Sequence, residues 1–149
     1  MDFASSNINK YNEINHLVSA RKNSFEVTFR MMELKEIQSD SLLEVAENKV
    51  LQAFRINKKE IFVEDDGLFI EALKDFPGVY SSYVNKTIGN VGILDLLGNK
   101  VNRNASFKSI IAFHDGNKIE SFTGEIKGKI NKVNKTNVPI LPNMSPRLT

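Results

Sequence analysis

Three consecutive carboxylates, Glu64, Asp65 and Asp66, follow the apolar run Ile61, Phe62 and Val63 and are closed by Gly67 and Leu68. The β-branched and aromatic run reads as a buried strand, so the chain must fold in a way that delivers three negative charges at a strand end, in a turn. A strand fixes its last residue and the turn exposes it. Carboxylates held like this can offer hard oxygen ligands to Mg²⁺ and leave coordination positions open for phosphate. An ordinary acidic turn has the same composition. The rest of the chain decides between the two.

With 149 residues the chain is long enough for one domain with a real core. Hydrophobic residues at 41% and charged residues at 26% exclude a disordered or fibrous chain. No apolar stretch approaches the roughly 20 residues needed to cross a bilayer, and Met1 to Ala4 lacks a basic region followed by an apolar one. Neither a membrane partner nor secretion is expected. Cysteine is absent, which excludes disulfides, thiolate metal sites and a cysteine nucleophile, and matches a reducing, cytoplasmic setting. All 18 acidic residues lie at or before Glu125, while five of the 20 basic residues follow it, so the body carries −3 and the tail +5. A nucleic-acid binder would carry its basic stripe on the folded body, and no nucleic-acid partner is expected.

Phe3 to Ser5 reads as a short strand, followed by a helix from about Asn9 to Ala20 with Tyr11, Ile14, Leu17 and Val18 on one face. Phe25 to Arg30 alternates like a half-buried strand. Ser41 and Glu44 form a capping-box pattern before a helix to about Ile56, whose apolar positions are Leu42, Val45, Ala46, Val50, Ala53 and Phe54. Ile61 to Val63 is a strand, Leu68 to Leu73 continues extended, and Pro77 and Gly78 break the chain. A further helix is expected from about Thr87 to Leu97, and strands over Phe107 to Phe113 and Lys118 to Thr123 flank an Asp115-Gly116 hairpin turn. Alternating helices and strands predict an α/β protein. From Asn131 the pattern dissolves into asparagines and prolines, so residues 1–130 read as the domain and 131–149 as an irregular tail.

Ser5, Ser6, Asn7, Asn9 and Lys10 stand where the first strand hands over to the first helix. Amides at a helix start attract anions, and small polar side chains with a lysine one turn in can cradle a polyphosphate. A helix cap by Ser6 or Asn7 would use the same residues. The segment lacks the glycines and the Gly-Lys-Ser/Thr ending of a P-loop. His16 and His114 have no ligand spacing between them and read as structural or solvated.

Five motifs then stand in register: Ser6-Asn7-x-x-Lys10-x-x-Glu13, Glu36 within Leu34 to Ser41, Val63 to Leu68, Phe76-Pro77-Gly78-Val79-Tyr80-Ser81-Ser82, and Phe122-x-Gly124-Glu125-x-x-Gly128-x-Ile130. In order and spacing the chain resembles the inosine triphosphate pyrophosphatase family over about residues 2 to 130. The resemblance implies an elongated mixed sheet flanked by helices, two lobes around a central cleft, and a homodimer. It also implies Mg²⁺-dependent hydrolysis of non-standard purine nucleoside triphosphates (ITP, dITP, XTP) to the monophosphate and pyrophosphate. By motif, Ser5 to Lys10 would bind the triphosphate. Glu36 and Asp65 would ligate Mg²⁺, with Glu64 as a further ligand, and Asp65 would also orient or deprotonate the attacking water. Asp66 would touch substrate at a position where the family usually carries a small hydroxyl residue. The family's later Gly-Tyr/Trp-Asp-Pro segment, its following lysine and its Ser-His-Arg do not occur here, and those groups read the purine base. The chain is therefore expected to lack the usual C-terminal segment. The alternative reading is a weakly active or inactive nucleotide-binding remnant of the same family.

Overall fold

The computed structural model describes residues 1–22 and 25–132. They form a mixed sheet of six strands flanked by helices, in the order β2 (Thr28–Met31), β1 (Asp2–Ser5), β3 (Ile61–Ile70), β5 (Asn104–His114) and β6 (Ile119–Lys129), with β4 (Phe76–Gly78) paired to β3. The described residues divide into two compact units, Met1–Asp65 with Ile110–Phe122, and Asp66–Ser109 with 123–132.

The first unit begins with β1 (Asp2–Ser5), α1 (Ile8–Ser19), β2 (Thr28–Met31), α2 (Leu42–Asn57) and the first half of β3 (Ile61–Ile70). β1 lies parallel to both neighbours, with Phe3 opposite Phe29 on one side and Phe62 on the other. A parallel strand between two others needs apolar residues on both faces, and Phe3 and Ala4 are both buried. Phe3, Val27 and Phe62 form a core covered by Tyr11, Ile14 and Val18 of α1. Leu17, expected on that apolar face, is exposed, because a helix turns it about 100° away from Val18. On α2 the buried stripe is Leu42, Val45, Ala46, Val50 and Ala53, as the periodicity predicts. Ser41 caps α2 by accepting from the Glu44 amide, while the Glu44 carboxylate accepts from the Ser39 hydroxyl, so the cap is a relay in place of a closed box.

The second unit contains β4 (Phe76–Gly78), α3 (Ser81–Lys86) and α4 (Gly89–Leu97), with parts of β3, β5 (Asn104–His114) and β6 (Ile119–Lys129). Its core is Leu68, Ile70, Val84, Ile93, Leu97, Ala105 and Ile130. The buried Ser81 hydroxyl accepts from the Leu68 amide at 2.8 Å and donates to the Gly78 carbonyl at 2.6 Å, which ties β3 to the start of α3. Arg103 is buried beneath the end of β6. Its guanidinium donates to the carbonyls of Ile130 at 2.8 Å, Gly98 at 3.1 Å and Asn131 at 3.1 Å.

Several sequence expectations are corrected. The acidic triplet is in the middle of a strand, since β3 runs unbroken from Ile61 to Ile70. Gly67 closes no turn. A side chain there would meet the Gly78 carbonyl oxygen at 2.6 Å, so the glycine lets β4 approach β3. The strand expected from Phe25 begins at Thr28, the extended segment beyond Ile70 tightens into a 3-10 turn at Glu71–Leu73, and α3 lies where no helix was expected. Of the expected tail, 133–149 lies outside the described residues.

Candidate active site

Successive residues of a strand point to opposite faces, so Glu64 and Asp65 cannot share one. Each meets a lysine from a different helix. Lys10 of α1 places its ammonium 2.8 Å from Glu64 Oε2, with both side chains largely buried. Lys49 of α2 lies 2.8 Å from Asp65 Oδ1 and 2.8 Å from Glu36 Oε1. The Lys49 ammonium therefore stands between two carboxylates. Asp65 is buried to 7% exposure, whereas Glu36 is more than half exposed. The second Asp65 oxygen, Oδ2, is buried and accepts no hydrogen bond among the described residues.

Burial acts on both members of this pair, and with opposite outcomes. It raises the Asp65 pKa above the ordinary 3.8; Lys49 and then Lys10 pull it down, Glu36 pushes it up, and burial prevails. Burial also works against the Lys49 ammonium, but the charge and hydrogen bond of Asp65, joined by those of Glu36, hold its pKa above 10.5. For Asp65 burial outweighs the two lysines, and for Lys49 the two anions outweigh burial, so both groups titrate above their ordinary values.

The strand-to-helix connection is built as a cap. Ser5 ends β1, and its hydroxyl accepts from the Asn7 amide at 3.0 Å; Asn7 caps α1 by accepting from the Asn9 amide at 2.9 Å. Ser6 and Asn9 are exposed beside them, and Lys10 faces Glu64. Of the residues expected in a metal site, Glu36 and Asp65 come together while Glu64 is engaged by Lys10. Among the described residues no group of three or more His, Asp or Glu side chains is placed to hold a metal ion. Asp66, half-buried on β3, is the first residue of the second unit. Lys49 was missed by sequence reasoning. Its signal is a cation on the apolar stripe of α2, at the spacing Ala46, Lys49, Val50, Ala53. His114 is structural: its Nδ1 accepts from the Gly116 amide at 3.0 Å and its ring stacks on Phe54 at 3.8 Å. No helix among the described residues is long and apolar enough to cross a membrane.

The sequence profile of the Ham1 family matches residues 1–138. A dITP/XTP pyrophosphatase of Methanopyrus kandleri is 43% identical over 129 residues, covering 86% of this chain and 68% of that protein. One from Korarchaeum cryptofilum is 41% identical over 130 residues, covering 87% and 69%. Another from Thermococcus kodakarensis reaches 54% over 95 residues, covering 64% and 51%. The chain thus spans between about half and about two thirds of the length of these relatives. The fold matches the Staphylococcus aureus Ham1 protein with a TM-score of 0.70 at 23% identity, over 89% of this chain and 73% of that one. It also matches a nucleoside-triphosphatase / dITP/XTP pyrophosphatase of Mycobacterium abscessus with a TM-score of 0.72 at 21% identity, over 100% and 85%.

Proposed function

The chain belongs to the Ham1 family, and from that premise we propose that it hydrolyses non-standard purine nucleoside triphosphates (ITP, dITP, XTP) to the monophosphate and pyrophosphate, with Mg²⁺ as cofactor. The observation that carries this reading is the cation held between two carboxylates: Lys49 Nζ sits 2.8 Å from both Glu36 and Asp65. Oxygen donors that converge on an ammonium can converge on a divalent ion, and Asp65 Oδ2, without a hydrogen-bond partner among the described residues, is a further donor. Mg²⁺ is usually held by one or two carboxylates, with phosphate and water completing its shell, so Glu36 and Asp65 fit it without a third side chain. When bound, the ion neutralises the charge that develops on the departing pyrophosphate.

The chain's own residues do the rest. Glu36 and Asp65 would hold the metal, with Glu64 behind them on Lys10. Ser5, Ser6, Asn7, Asn9 and Lys10 receive the triphosphate at the start of α1, where the helix dipole favours anions. Asp65 orients the attacking water and accepts its proton. Lys49 gains a phosphate oxygen as an alternative partner once a divalent ion shares its carboxylates. Asp66, next along β3, contacts the substrate. We take residues 1–130 to be the catalytic domain, working as a cytoplasmic homodimer with neither a membrane nor a nucleic-acid partner.

The test is pyrophosphate release by the purified chain from XTP, dITP, ATP and GTP, with Mg²⁺ and with EDTA. Release from XTP and dITP that EDTA abolishes is expected. Equal rates on ATP would overturn the substrate class. Because the chain spans only part of its relatives' length, the alternative is a nucleotide-binding remnant, which would bind XTP and release no pyrophosphate.

A further inference from the structure

Glu36 lies on a stretch without regular structure, between the end of β2 at Met31 and the start of α2 at Leu42. An exposed glutamate on an irregular segment would lose much of its value as a ligand to conformational entropy, because backbone and side chain must both be ordered when the cation binds. α2 removes that backbone freedom beforehand. The Gln52 amide takes both main-chain groups of Lys35: Oε1 accepts from the Lys35 N–H at 3.0 Å and Nε2 donates to the Lys35 carbonyl at 2.7 Å. A side chain here pairs a residue as a neighbouring strand would. Nε2 also donates to Asn48 Oδ1 at 2.7 Å, which fixes which way round the Gln52 amide faces. Lys49 and Gln52 are three residues apart and so share one face of α2. One helix face thus presents the ammonium and clasps the residue before Glu36.

We infer that Gln52 is a positioning residue: by clasping Lys35 it holds Glu36 in reach of the cation position shared with Asp65, and so sets the divalent-cation affinity of that pair. The inference rests on the proposed metal site. Only a side chain with an acceptor and a donor side by side can make this clasp. Glutamate keeps the acceptor and loses the donor, asparagine is one methylene short, and alanine has neither.

The test uses the full chain with Mn²⁺ alone as probe, followed by its electron paramagnetic resonance signal, so that binding is read without turnover. Gln52→Ala is expected to weaken Mn²⁺ binding by about tenfold or more, as loss of a residue supporting a metal ligand does. The Mg²⁺ concentration giving half-maximal XTP hydrolysis should rise by a similar factor, with kcat at saturating Mg²⁺ within about twofold of the parent. In a Glu36→Ala background, Gln52→Ala should add nothing, because the residue it positions is gone. Unchanged Mn²⁺ affinity in Gln52→Ala, or an equal loss with and without Glu36, overturns the inference. If the alanine variant fails to fold, Gln52→Glu decides the matter by the same two comparisons. A parent that binds Mn²⁺ and hydrolyses no nucleotide would remove the proposed activity and leave the role of Gln52 standing; a parent that binds no Mn²⁺ would remove the inference.

Discussion

Lys49 in the first unit and Arg103 in the second are both cations taken out of water, and their partners differ in kind. Lys49 is held by two carboxylates, Glu36 and Asp65. Arg103 is held by three main-chain carbonyls, those of Gly98, Ile130 and Asn131. Carbonyls carry no net charge, and the geometry of the guanidinium fork suits fixed backbone positions, so Arg103 makes a latch for the end of β6. Carboxylates are anions in their own right. Removing or moving the ammonium leaves two negative charges that attract another cation, and the arrangement around Lys49 is therefore one that can exchange its occupant. A cation secured by dipoles has no anions to release, whereas a cation secured by two carboxylates can yield its place to another cation, as the proposed site requires.

The sharpest way to break the comparison is Asp65→Asn. The amide keeps the shape and loses the charge, so XTP hydrolysis should fall on the order of 10² or more, while circular dichroism and the melting temperature show an intact fold. Near-normal turnover would mean that the carboxylate pair around Lys49 is only structural. The complementary change, Arg103→Met, should cost about 2 kcal/mol in urea unfolding, because three carbonyls lose their donor, and should leave Mn²⁺ affinity unaltered. A loss of cation binding in that variant would dissolve the distinction between the two cations. Lys10→Ala should weaken XTP binding by about tenfold and leave xanthosine binding unmoved, since the ammonium addresses only phosphate. Equal losses for both ligands would put Lys10 with Arg103, as a support for Glu64 and the fold.

A pH series gives the smallest effect and separates stability from binding. Asp65 has a folded pKa above its ordinary 3.8, so the stability it contributes is fully present below that value and is lost as pH rises through the folded pKa. Lys49 has a folded pKa above 10.5, so its contribution persists from neutral pH up to 10.5 and fades only as pH climbs through the folded value. Cation binding needs Asp65 ionised. On acidification, Mn²⁺ affinity should therefore fall with a midpoint above 3.8, and protonation of Asp65 should not itself destabilise the fold. A midpoint below 3.8 would show that Lys49 governs Asp65 more strongly than burial does.

The longer helices and the α/β class were legible because their signals are periodic, as the stripe of α2 from Leu42 to Ala53 shows, whereas the six-residue α3 carries too short a pattern to announce itself. The acidic triplet was misread as a turn. A strand can carry Glu64 and Asp65 through its middle once Lys10 and Lys49 reach them from helices, and those partners lie 54 and 16 residues away in the chain. Lys49 itself was visible as a charge on an apolar stripe, but only a known anion nearby gives that charge a meaning. Glu36 was named from motif alone. The clasp by Gln52 that holds its segment joins positions without a common period, so no pattern in the sequence announces it. Gly67 shows the same limit, since it is required by β4 and not by its own neighbours.

The alternation of β3 makes the site a matter of parity. Glu64 answers to α1 and Asp65 to α2 because one position is even and the other odd along the same strand. Deleting or inserting a single residue between Ile61 and Glu64 would exchange the two faces, turning Glu64 to the side of Lys49 and Asp65 to the side of Lys10, whereas a change of two residues would keep each carboxylate on its own side. Length variation among proteins descended from this chain should therefore avoid that short stretch altogether and collect in the β5–β6 turn around Gly116, where no side chain of the site depends on the count.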